Sequence, residues 1–406
     1  MTPEQEYREL YEWLRHSRCL EALLLASERY EEGLGDPPVG MIQEMLNQVT
    51  LLIINKIFLP VPSGVRHLSN LKSFCISAVE APADIEVLNT AIQQFPQIES
   101  LELKGLILSR LPEEIFKLPH LTSFSFLGEL QCLPEDMRVF SRLKSLHIKA
   151  TYMYKPIQPR VYKLSSIPES IGMLNQLEVL SLEMPDSLKH FPKGLNKLTQ
   201  LKQLTIEASH IPLECIRDIT NLERFSFTLL GDPLDMEIYP SKHQEVLEVL
   251  KYIRTLHCLT HLKINSPFMS HIPEWIDELI HLESLEIREL TTFSEDLDPR
   301  WPYAYFIPTP IPESLQQLKK LTYLQLANIS LETVPEVIQY LPSLTEVYLD
   351  EIHFKQEEVI PANFTPPPQL LLFAIRFIYM SKERGNAVRA FFPETCKVIL
   401  LTNTNV

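Results

Sequence analysis

Two histidines are the first residues in this sequence whose type and spacing suggest chemistry. His257 and His261 lie four positions apart, which on a helix would place both imidazole rings on one face, as in a metal-binding pair. His261, however, belongs to an alternating apolar pattern typical of a strand, and His257 precedes that strand. Because no single helix presents both rings, we expect no metal site.

The six cysteines have no spacing typical of zinc binding or redox chemistry. We interpret them as reduced, mostly buried thiols of a cytosolic protein, and the thiol in the apolar run CKVILL as inert. The chain also lacks HExxH, GxSxG and a phosphate-binding GxxxxGK loop, so we expect no catalytic residues and no cofactor. An enzyme with an unrecognised site remains an alternative. The cysteines, none of which forms CxxC, are Cys19, Cys75, Cys132, Cys215, Cys258 and Cys396.

Composition excludes further classes of function. The chain has 37 Lys and Arg against 52 Asp and Glu, a net charge of −15, so we expect no binding of nucleic-acid phosphates. No apolar run approaches the ~20 residues of a membrane-spanning helix, and we expect no membrane segment. With only 10 glycines in 406 residues, glycine-rich nucleotide-binding loops are also not expected.

An internal repeat organises most of the chain. The pattern LxxLxL, with Ile, Val or Phe in place of some Leu, recurs mostly every 21 to 24 residues. Each copy predicts one strand, and the longer intervals indicate insertions. Weaker copies start at Leu370 and Cys396. The first positions of the clear copies are Val49, Leu71, Ile98, Leu121, Leu143, Leu177, Leu201, Leu222, Leu259, Leu282, Leu321 and Leu344.

A second element follows the strand in many units: an apolar residue, then Pro, then Glu. Pro at the first helical position loses no hydrogen bond, and Glu beside it complements the positive end of the helix dipole. We therefore expect a short helix or 3₁₀ segment in each such unit. The copies begin at Leu111, Leu133, Ile167, Ile272, Ile311 and Val334.

These units resemble leucine-rich repeats of the intracellular type, such as those of bacterial effectors and plant immune receptors. Clear examples are LNQLEVLSLEM at 174–184 and LKKLTYLQLANISLETVPEVIQYL at 318–341. The resemblance implies an α/β leucine-rich-repeat solenoid, a curved horseshoe with a parallel β-sheet on the concave face and short helices on the convex face. It also implies that the concave face binds a protein partner.

One family feature is missing, which favours the more divergent effector and immune-receptor members. Leucine-rich repeats usually carry an Asn nine residues into each unit, whose side chain bonds the backbone along a buried ladder. The turns of this chain must be held by other means. The positions are occupied by Leu106, Glu129, Thr151, Pro185, Ser209, Leu230, Pro267, Leu290, Ile329 and Ile352.

The sequence predicts three regions. Residues 1–40 form a helical N-terminal cap and linker, because Leu10, Trp13 and Leu14 follow helical spacing; a separate helical docking segment is the alternative. Residues 41–360 form the solenoid of about 12 repeats. Residues 361–406 form degenerate closing repeats and a C-terminal cap, with a helix between residues 381 and 390.

Insertions are predicted at 151–164, 231–250 and 291–310, and the third carries several aromatic residues. Exposed aromatics beside an Arg are typical of interfaces, so we place partner binding at the C-terminal half of the concave face and this insertion. The alternative is that the loops bury their aromatics against the solenoid. The predicted contact residues are Glu286, Arg288, Trp301, Tyr303, Tyr305, Tyr323, Tyr348 and Asp350.

The sequence therefore predicts a non-enzymatic protein–protein interaction module. Its most specific form is a cytoplasmic, monomeric bacterial effector that is secreted into the host cytosol and binds a host protein there. A recognition domain related to intracellular immune receptors is the alternative within the same fold.

Overall fold

The computed structural model describes most of the chain. The described residues are 2–16, 38–55, 59–150, 164–184, 191–211, 213–231, 239–288, 308–356, 358–378 and 382–402. They form two compact units, Met1–Gln200 and Leu201–Val406.

Parallel strands, one for each clear LxxLxL copy, form the sheet of the Met1–Gln200 unit. Neighbouring strands pair in sequence order, with their central residues in one register. The strands are β1 (Leu51–Asn55), β2 (Ser73–Pro82), β3 (Ser100–Leu108), β4 (Ser123–Leu130), β5 (Ser145–Lys149) and β6 (Val179–Glu183).

The Leu201–Val406 unit repeats this arrangement. Its main strands are also parallel, and β12 pairs with β14 in a second, two-stranded sheet. The weak copies at Leu370 and Cys396 precede the last two strands of the described residues. The strands are β7 (Gln203–Ala208), β8 (Arg224–Leu229), β9 (His261–Asn265), β10 (Ser284–Arg288), β11 (Tyr323–Ala327), β12 (Ser330–Leu331), β13 (Glu346–Asp350), β14 (His353–Phe354), β15 (Leu372–Ile378) and β16 (Lys397–Thr402).

The leucines of the repeat form the core of each unit. Leu180 in β6 and Leu204 in β7 are both 0% exposed, which confirms the predicted register of the repeat. Side chains alternate along a strand, so the residues between the leucines point to the other side of the sheet. We call these alternate strand residues the open face of each unit.

Within each unit, short 3₁₀ helices form a layer separate from the strands, and neighbouring helices of this layer contact one another. In five of the six apolar-Pro-Glu copies, Pro is the N-cap and Glu the first 3₁₀ residue, so Pro lies one position earlier than predicted. The copy at Leu133 differs, because Asp136 caps the helix by accepting a hydrogen bond from Arg138 N. The exposed glutamates Glu113, Glu169, Glu274 and Glu336 all lie in this layer. The 3₁₀ helices are Ser63–His67, Glu113–Lys117, Met137–Phe140, Glu169–Met173, Lys193–Lys197, Glu274–Glu278, Glu313–Gln317 and Glu336–Tyr340.

Longer helices replace the 3₁₀ segments at a few places. The second repeat, which starts at Leu71, has an α-helix, α3, whose N-cap Asp84 accepts a hydrogen bond from Glu86 N. The second insertion ends in helix α5, and the helix predicted near residues 381–390 is α6. The α-helices are α1 (Pro3–His16), α2 (Val39–Asn47), α3 (Ile85–Gln93), α4 (Leu213–Ile216), α5 (Tyr239–Ile253) and α6 (Lys382–Ala390).

Helix α1 packs on the first 3₁₀ helix and on α2, as expected for an N-terminal cap. Leu10 and Leu14 are fully buried. Buried Glu6 accepts hydrogen bonds from Arg66 Nη2 at 2.6 Å and shares one with His67 Nε2 at 2.9 Å. A Cβ on Gly64 would approach the Glu6 carbonyl oxygen to 2.7 Å, so a glycine is needed where α1 crosses this helix.

Backbone pairing stabilises turns where the family usually has its Asn ladder. Gly105, Asn328 and Glu351 each follow the last open-face residue of a strand, and all three adopt left-handed φ values, of 64°, 51° and 52°. This bend lets the chain pair again beyond it: the end of β3 with β4, and β12 with β14. The expectation that other interactions hold the turns is confirmed at these repeats.

Candidate functional site

Five of the eight predicted contact residues lie together on the open face of the Leu201–Val406 unit. Glu286 and Arg288 are on β10, Tyr323 begins β11, and Tyr348 and Asp350 are on β13. These three strands are consecutive neighbours in the sheet. The other three, Trp301, Tyr303 and Tyr305, lie outside the described residues, as do most of the first and third insertions.

Asp350 is the centre of a hydrogen-bond network across three strands. Arg376 on β15 donates to both of its carboxylate oxygens, through Nε and Nη2, at 2.5 Å each. Gln325 Nε2 on β11 donates to Oδ2, also at 2.5 Å. Asp350 is only 6% exposed. Its charge is balanced within the protein by the ion pair with Arg376. The bidentate pair fixes the plane of the Arg376 guanidinium and raises the Arg376 pKa.

Two tyrosines lie against this network. The rings of Tyr323 and Tyr348 are 5.3 Å apart between centroids, and the Arg376 guanidinium lies 4.8 Å from the centre of the Tyr348 ring. The Tyr323 hydroxyl donates to Gln325 Oε1 and the Tyr348 hydroxyl to Glu346 Oε2, both at 3.1 Å. We call Tyr323, Gln325, Tyr348, Asp350 and Arg376 the tyrosine patch.

The hydroxyls of the tyrosine patch stay protonated at neutral pH. Burial, followed by the negative charge of Glu286, raises the pKa of Tyr323 to about 12. Burial also raises the pKa of Tyr348, and its hydrogen bond to Glu346 acts in the same direction. The patch therefore presents two neutral aromatic rings and one guanidinium that is held in place.

Sequence reasoning missed Arg376 and Gln325. Both could have been found from the repeat register, because Gln325 aligns with Tyr348 and Arg376 with Asp350 on neighbouring strands. The repeat at Leu370 matches the pattern only weakly, because Phe373 and Ile375 replace its leucines.

A shallow cavity of about 200 Å³ lies on the same open face, over β7 to β10. In this cavity, Lys263 Nζ lies 3.3 Å from Glu286 Oε2. Glu286, one of the predicted contact residues, is therefore part of an ion pair within the protein. Burial and the positive charge of Arg224 lower the pKa of His261, so this imidazole is neutral at pH 7. The polar residues lining the cavity are Gln203, Thr205, Arg224, Ser226, His261, Lys263, Ser284 and Glu286.

His257 and His261, the pair with the spacing of a metal site on a helix, do not lie on one helix. His261 opens β9 and His257 is an exposed residue before it, as predicted, so the two share no helix. Within the described ranges no group of three or more His, Cys, Asp or Glu is arranged to hold a metal ion. Cys75, Cys215 and Cys396 are buried, whereas Cys132 and Cys258 are exposed, so burial of the thiols is less general than expected. Burial raises the pKa of the Cys75 thiol to about 12 and also raises that of Cys396.

Among the described helices, none has both the length and the apolar character needed to cross a bilayer.

Known proteins resemble this chain through its repeats. A family model described as a leucine-rich repeat region matches residues 89–298, more than half of the chain. The chain is 25% identical over 286 residues to volume-regulated anion channel subunit LRRC8E of Homo sapiens, and 26% identical over 249 residues to subunit LRRC8B of Mus musculus. These alignments cover 68% and 55% of this chain but 30% and 28% of the relatives. The chain thus spans less than a third of the length of these relatives.

Two bacterial proteins are among the solved structures that are similar to this chain. A leucine-rich repeat protein of Leptospira interrogans is 20% identical, with 89% of this chain and 98% of the other covered and a TM-score of 0.43. An internalin of Listeria monocytogenes is 15% identical, with 90% and 89% covered and a TM-score of 0.49.

Proposed function

Because the chain belongs to the leucine-rich repeat proteins, we propose that it is a non-enzymatic module that binds a protein partner through the open face of its Leu201–Val406 unit. Leucine-rich repeats are typically protein–protein interaction modules without enzymatic activity, which supports a binding role for this chain. The tyrosine patch is the centre of the proposed binding surface.

The single observation that supports this site is the prior ordering of its side chains. Tyr and Arg dominate the energy of protein interfaces, and they contribute most when little rotamer freedom is lost on binding. Arg376 is fixed by Asp350, and the tyrosine rings are fixed by each other and by their hydroxyl hydrogen bonds. The patch therefore needs little reordering when a partner binds.

The curated relatives support a role in association with other chains. Their names describe channel subunits, and a subunit acts together with further chains. Since the aligned region is less than a third of each relative, only association is proposed for this chain, and not channel activity.

The experiment is a binding measurement with a matched aromatic control. A partner is isolated on the immobilised protein, and its affinity for Tyr348→Ala and Tyr340→Ala is then measured by biolayer interferometry. Tyr340 is 54% exposed in the 3₁₀ layer, away from the proposed surface. We expect Tyr348→Ala to weaken binding by about 2 kcal/mol, and Tyr340→Ala to leave it unchanged.

A variant that keeps the aromatic ring of Tyr348 separates the contribution of the ring from that of its hydroxyl hydrogen bond. Tyr348→Phe retains the aromatic contact and loses only the hydrogen bond to Glu346, so it should keep most of the affinity. Circular dichroism melting curves of all three variants check that the fold is intact. Equal losses for Tyr348→Ala and Tyr340→Ala, at unchanged fold, would contradict the proposed surface.

The narrower role is also a proposal: a cytoplasmic bacterial effector, secreted into the host cytosol, that binds a host protein. It is supported by the absence of the Asn ladder, which is typical of divergent members of the family. The alternative, a recognition domain of an intracellular immune receptor, has the same support. A secretion-system operon beside the gene would favour the first, and an attached nucleotide-binding domain the second.

The region boundaries are proposals too: a cap and linker at 1–40, a solenoid at 41–360 and a closing region at 361–406. Binding through Trp301, Tyr303 and Tyr305 in the third insertion also remains a prediction. Arg288, the last described residue before that insertion, lies on the proposed surface.

A further inference from the structure

A shielded donor and a shielded acceptor lie side by side on the open face of the Leu201–Val406 unit without partners. Arg288 Nε and Asn265 Oδ1 are both buried from solvent, and neither makes a hydrogen bond to any described residue. The two residues are direct neighbours across strands β9 and β10. They lie beside the tyrosine patch, because the charge of Arg288 acts on the Tyr323 hydroxyl.

Unpaired buried polar atoms are uncommon in folded proteins because each one costs free energy. Arg288 and Asn265 are part-buried as whole residues, so a small rotation of each side chain brings these atoms within reach of a ligand. Arg288 Nε then needs a hydrogen-bond acceptor, and the guanidinium needs a negative charge. Asn265 Oδ1 needs a donor. An extended peptide that carries a carboxylate side chain supplies both groups, since its backbone N–H groups are donors and its carboxylate is an acceptor.

Charge on this face favours the same ligand. Among the described residues, Arg224 and Arg288 on the open face make no ion pair, whereas Lys263 is paired with Glu286 and Arg376 with Asp350. The 3₁₀ layer of the same unit is lined by exposed glutamates, including Glu274 and Glu336. Within this unit, a carboxylate is therefore attracted to these two arginines, although Glu207 and Glu346 also lie on the open face, and it is repelled from the 3₁₀ layer.

We propose that Arg288 and Asn265 bind an acidic, extended peptide segment of the partner protein, with a carboxylate on Arg288 and a backbone N–H on Asn265. This inference rests on the proposed function and names the chemistry of the partner. Arg224, at the edge of the neighbouring cavity, binds a second carboxylate of the same segment.

Strand geometry gives the spacing of the two acidic residues. Arg224 and Arg288 are two strands apart and four positions apart along the strand. At ~4.8 Å between strands and ~3.3 Å per residue, their Cα atoms are about 16 Å from each other. An extended peptide covers that distance in about five residues. Side chains alternate along an extended chain, so two residues that face the same surface are an even number of positions apart. The segment should therefore carry acidic residues four positions apart, about 13 Å between their Cα atoms, with the long Glu and Arg side chains covering the remaining ~3 Å.

The probe is a short fluorescein-labelled Gly/Ser/Thr peptide with two glutamates at that spacing, measured by fluorescence anisotropy at low ionic strength. A peptide with glutamine in place of both glutamates is the matched control. We expect the glutamate peptide to bind, the glutamine peptide to bind at least about tenfold more weakly, and added salt to reduce the difference.

Protein variants then locate the site. Arg288→Gln removes the charge at similar size and should weaken the glutamate peptide about tenfold. Arg288→Lys should retain part of the affinity, and Asn265→Ala should weaken both peptides. Arg217→Gln, an exposed arginine of the same unit outside the open face, should have no effect. Equal binding of the two peptides, or equal effects of Arg288→Gln and Arg217→Gln, would overturn the inference.

The partner isolated for the proposed function distinguishes the two ideas. If Tyr348→Ala weakens its binding and Arg288→Gln does not, the open face binds a partner but not through an acidic segment, and this inference fails alone. If neither variant weakens it, the proposed surface fails as well. Loss with both variants, at unchanged melting temperature, is the result we expect.

Discussion

Asp350 divides its carboxylate between Arg376 and Gln325, with both partners at 2.5 Å. The sequence predicted it to contact a partner, because it aligns with Arg288 and lies near Tyr348. With 6% of its surface exposed, however, it presents little to any ligand. We therefore treat it as a positioning residue, which orients the guanidinium that faces outward. The same position in the register thus holds a part-buried arginine with a predicted contact role, Arg288, on β10 and a buried anchor, Asp350, on β13.

The substitution Asp350→Asn tests this positioning role. It removes the charge that pairs with Arg376 and leaves a buried amide facing two donors. We expect a loss of about 1–3 kcal/mol in the free energy of unfolding, measured by urea denaturation. Glu274→Gln, at an exposed glutamate of the 3₁₀ layer, should change it by less than about 0.5 kcal/mol. Equal stability of the two variants would show that Asp350 anchors nothing.

At the scale of elements, the strands could be predicted and the helices only in part. Each LxxLxL copy fixes which residues enter the core, so the strand order and register follow from spacing alone. Helix type depends on local capping instead. Asp136 moves one helix start two residues beyond its Pro-Glu pair, and Asp84 starts an α-helix in a unit without that pair. Cross-strand networks such as that of Arg376 depend on a weak repeat, and spacing did not reveal them.

The docking of α1 should depend on pH through Glu6. The hydrogen bond with His67, and then that with Arg66, hold the pKa of Glu6 below its ordinary value of 4.5. A depressed folded pKa means that the ionised carboxylate stabilises the folded state above the unfolded pKa. That contribution is lost as the pH falls through the folded pKa.

We therefore expect Glu6→Gln to lower the melting temperature at pH 7, and the difference from the parent protein to shrink as the pH falls below about 4.5. Melting temperatures recorded over this pH range give the comparison. Glu4→Gln on the same helix is the control, because Glu4 makes only an exposed contact of 3.8 Å to Arg8. A difference that persists unchanged at low pH would mean that the shape of the side chain matters, and not its charge.

At the scale of the whole molecule, net charge is the main constraint on association. The chain carries a net charge of −15. Some of its glutamates are the first residues of 3₁₀ helices, where their negative charge complements the positive end of the helix dipole. Charge of one sign opposes self-association. Composition could predict this much, but it could not locate the unpaired arginines, which depend on which strands become neighbours.

The expected oligomeric state follows from that charge. We predict a monomer of 47.0 kDa in light scattering at physiological salt, across the concentrations used for binding. Screening by salt would weaken the repulsion, so any self-association should increase with ionic strength. A mass that already doubles at low salt and low protein concentration would contradict the prediction.

The replacement of the Asn ladder by backbone pairing has a consequence for chemical ageing. Asparagine is among the residues most easily damaged by prolonged heat, because its side-chain amide is thermally labile. A solenoid whose turns are held by a ladder of asparagines loses its hydrogen bonds one by one as this damage accumulates. In this chain, the turn at Gly105 in β3 is held by main-chain pairing with β4 and contains no asparagine side chain. That turn should therefore outlast its counterpart in a conventional repeat protein during long storage, whereas the turn at Asn328 should not.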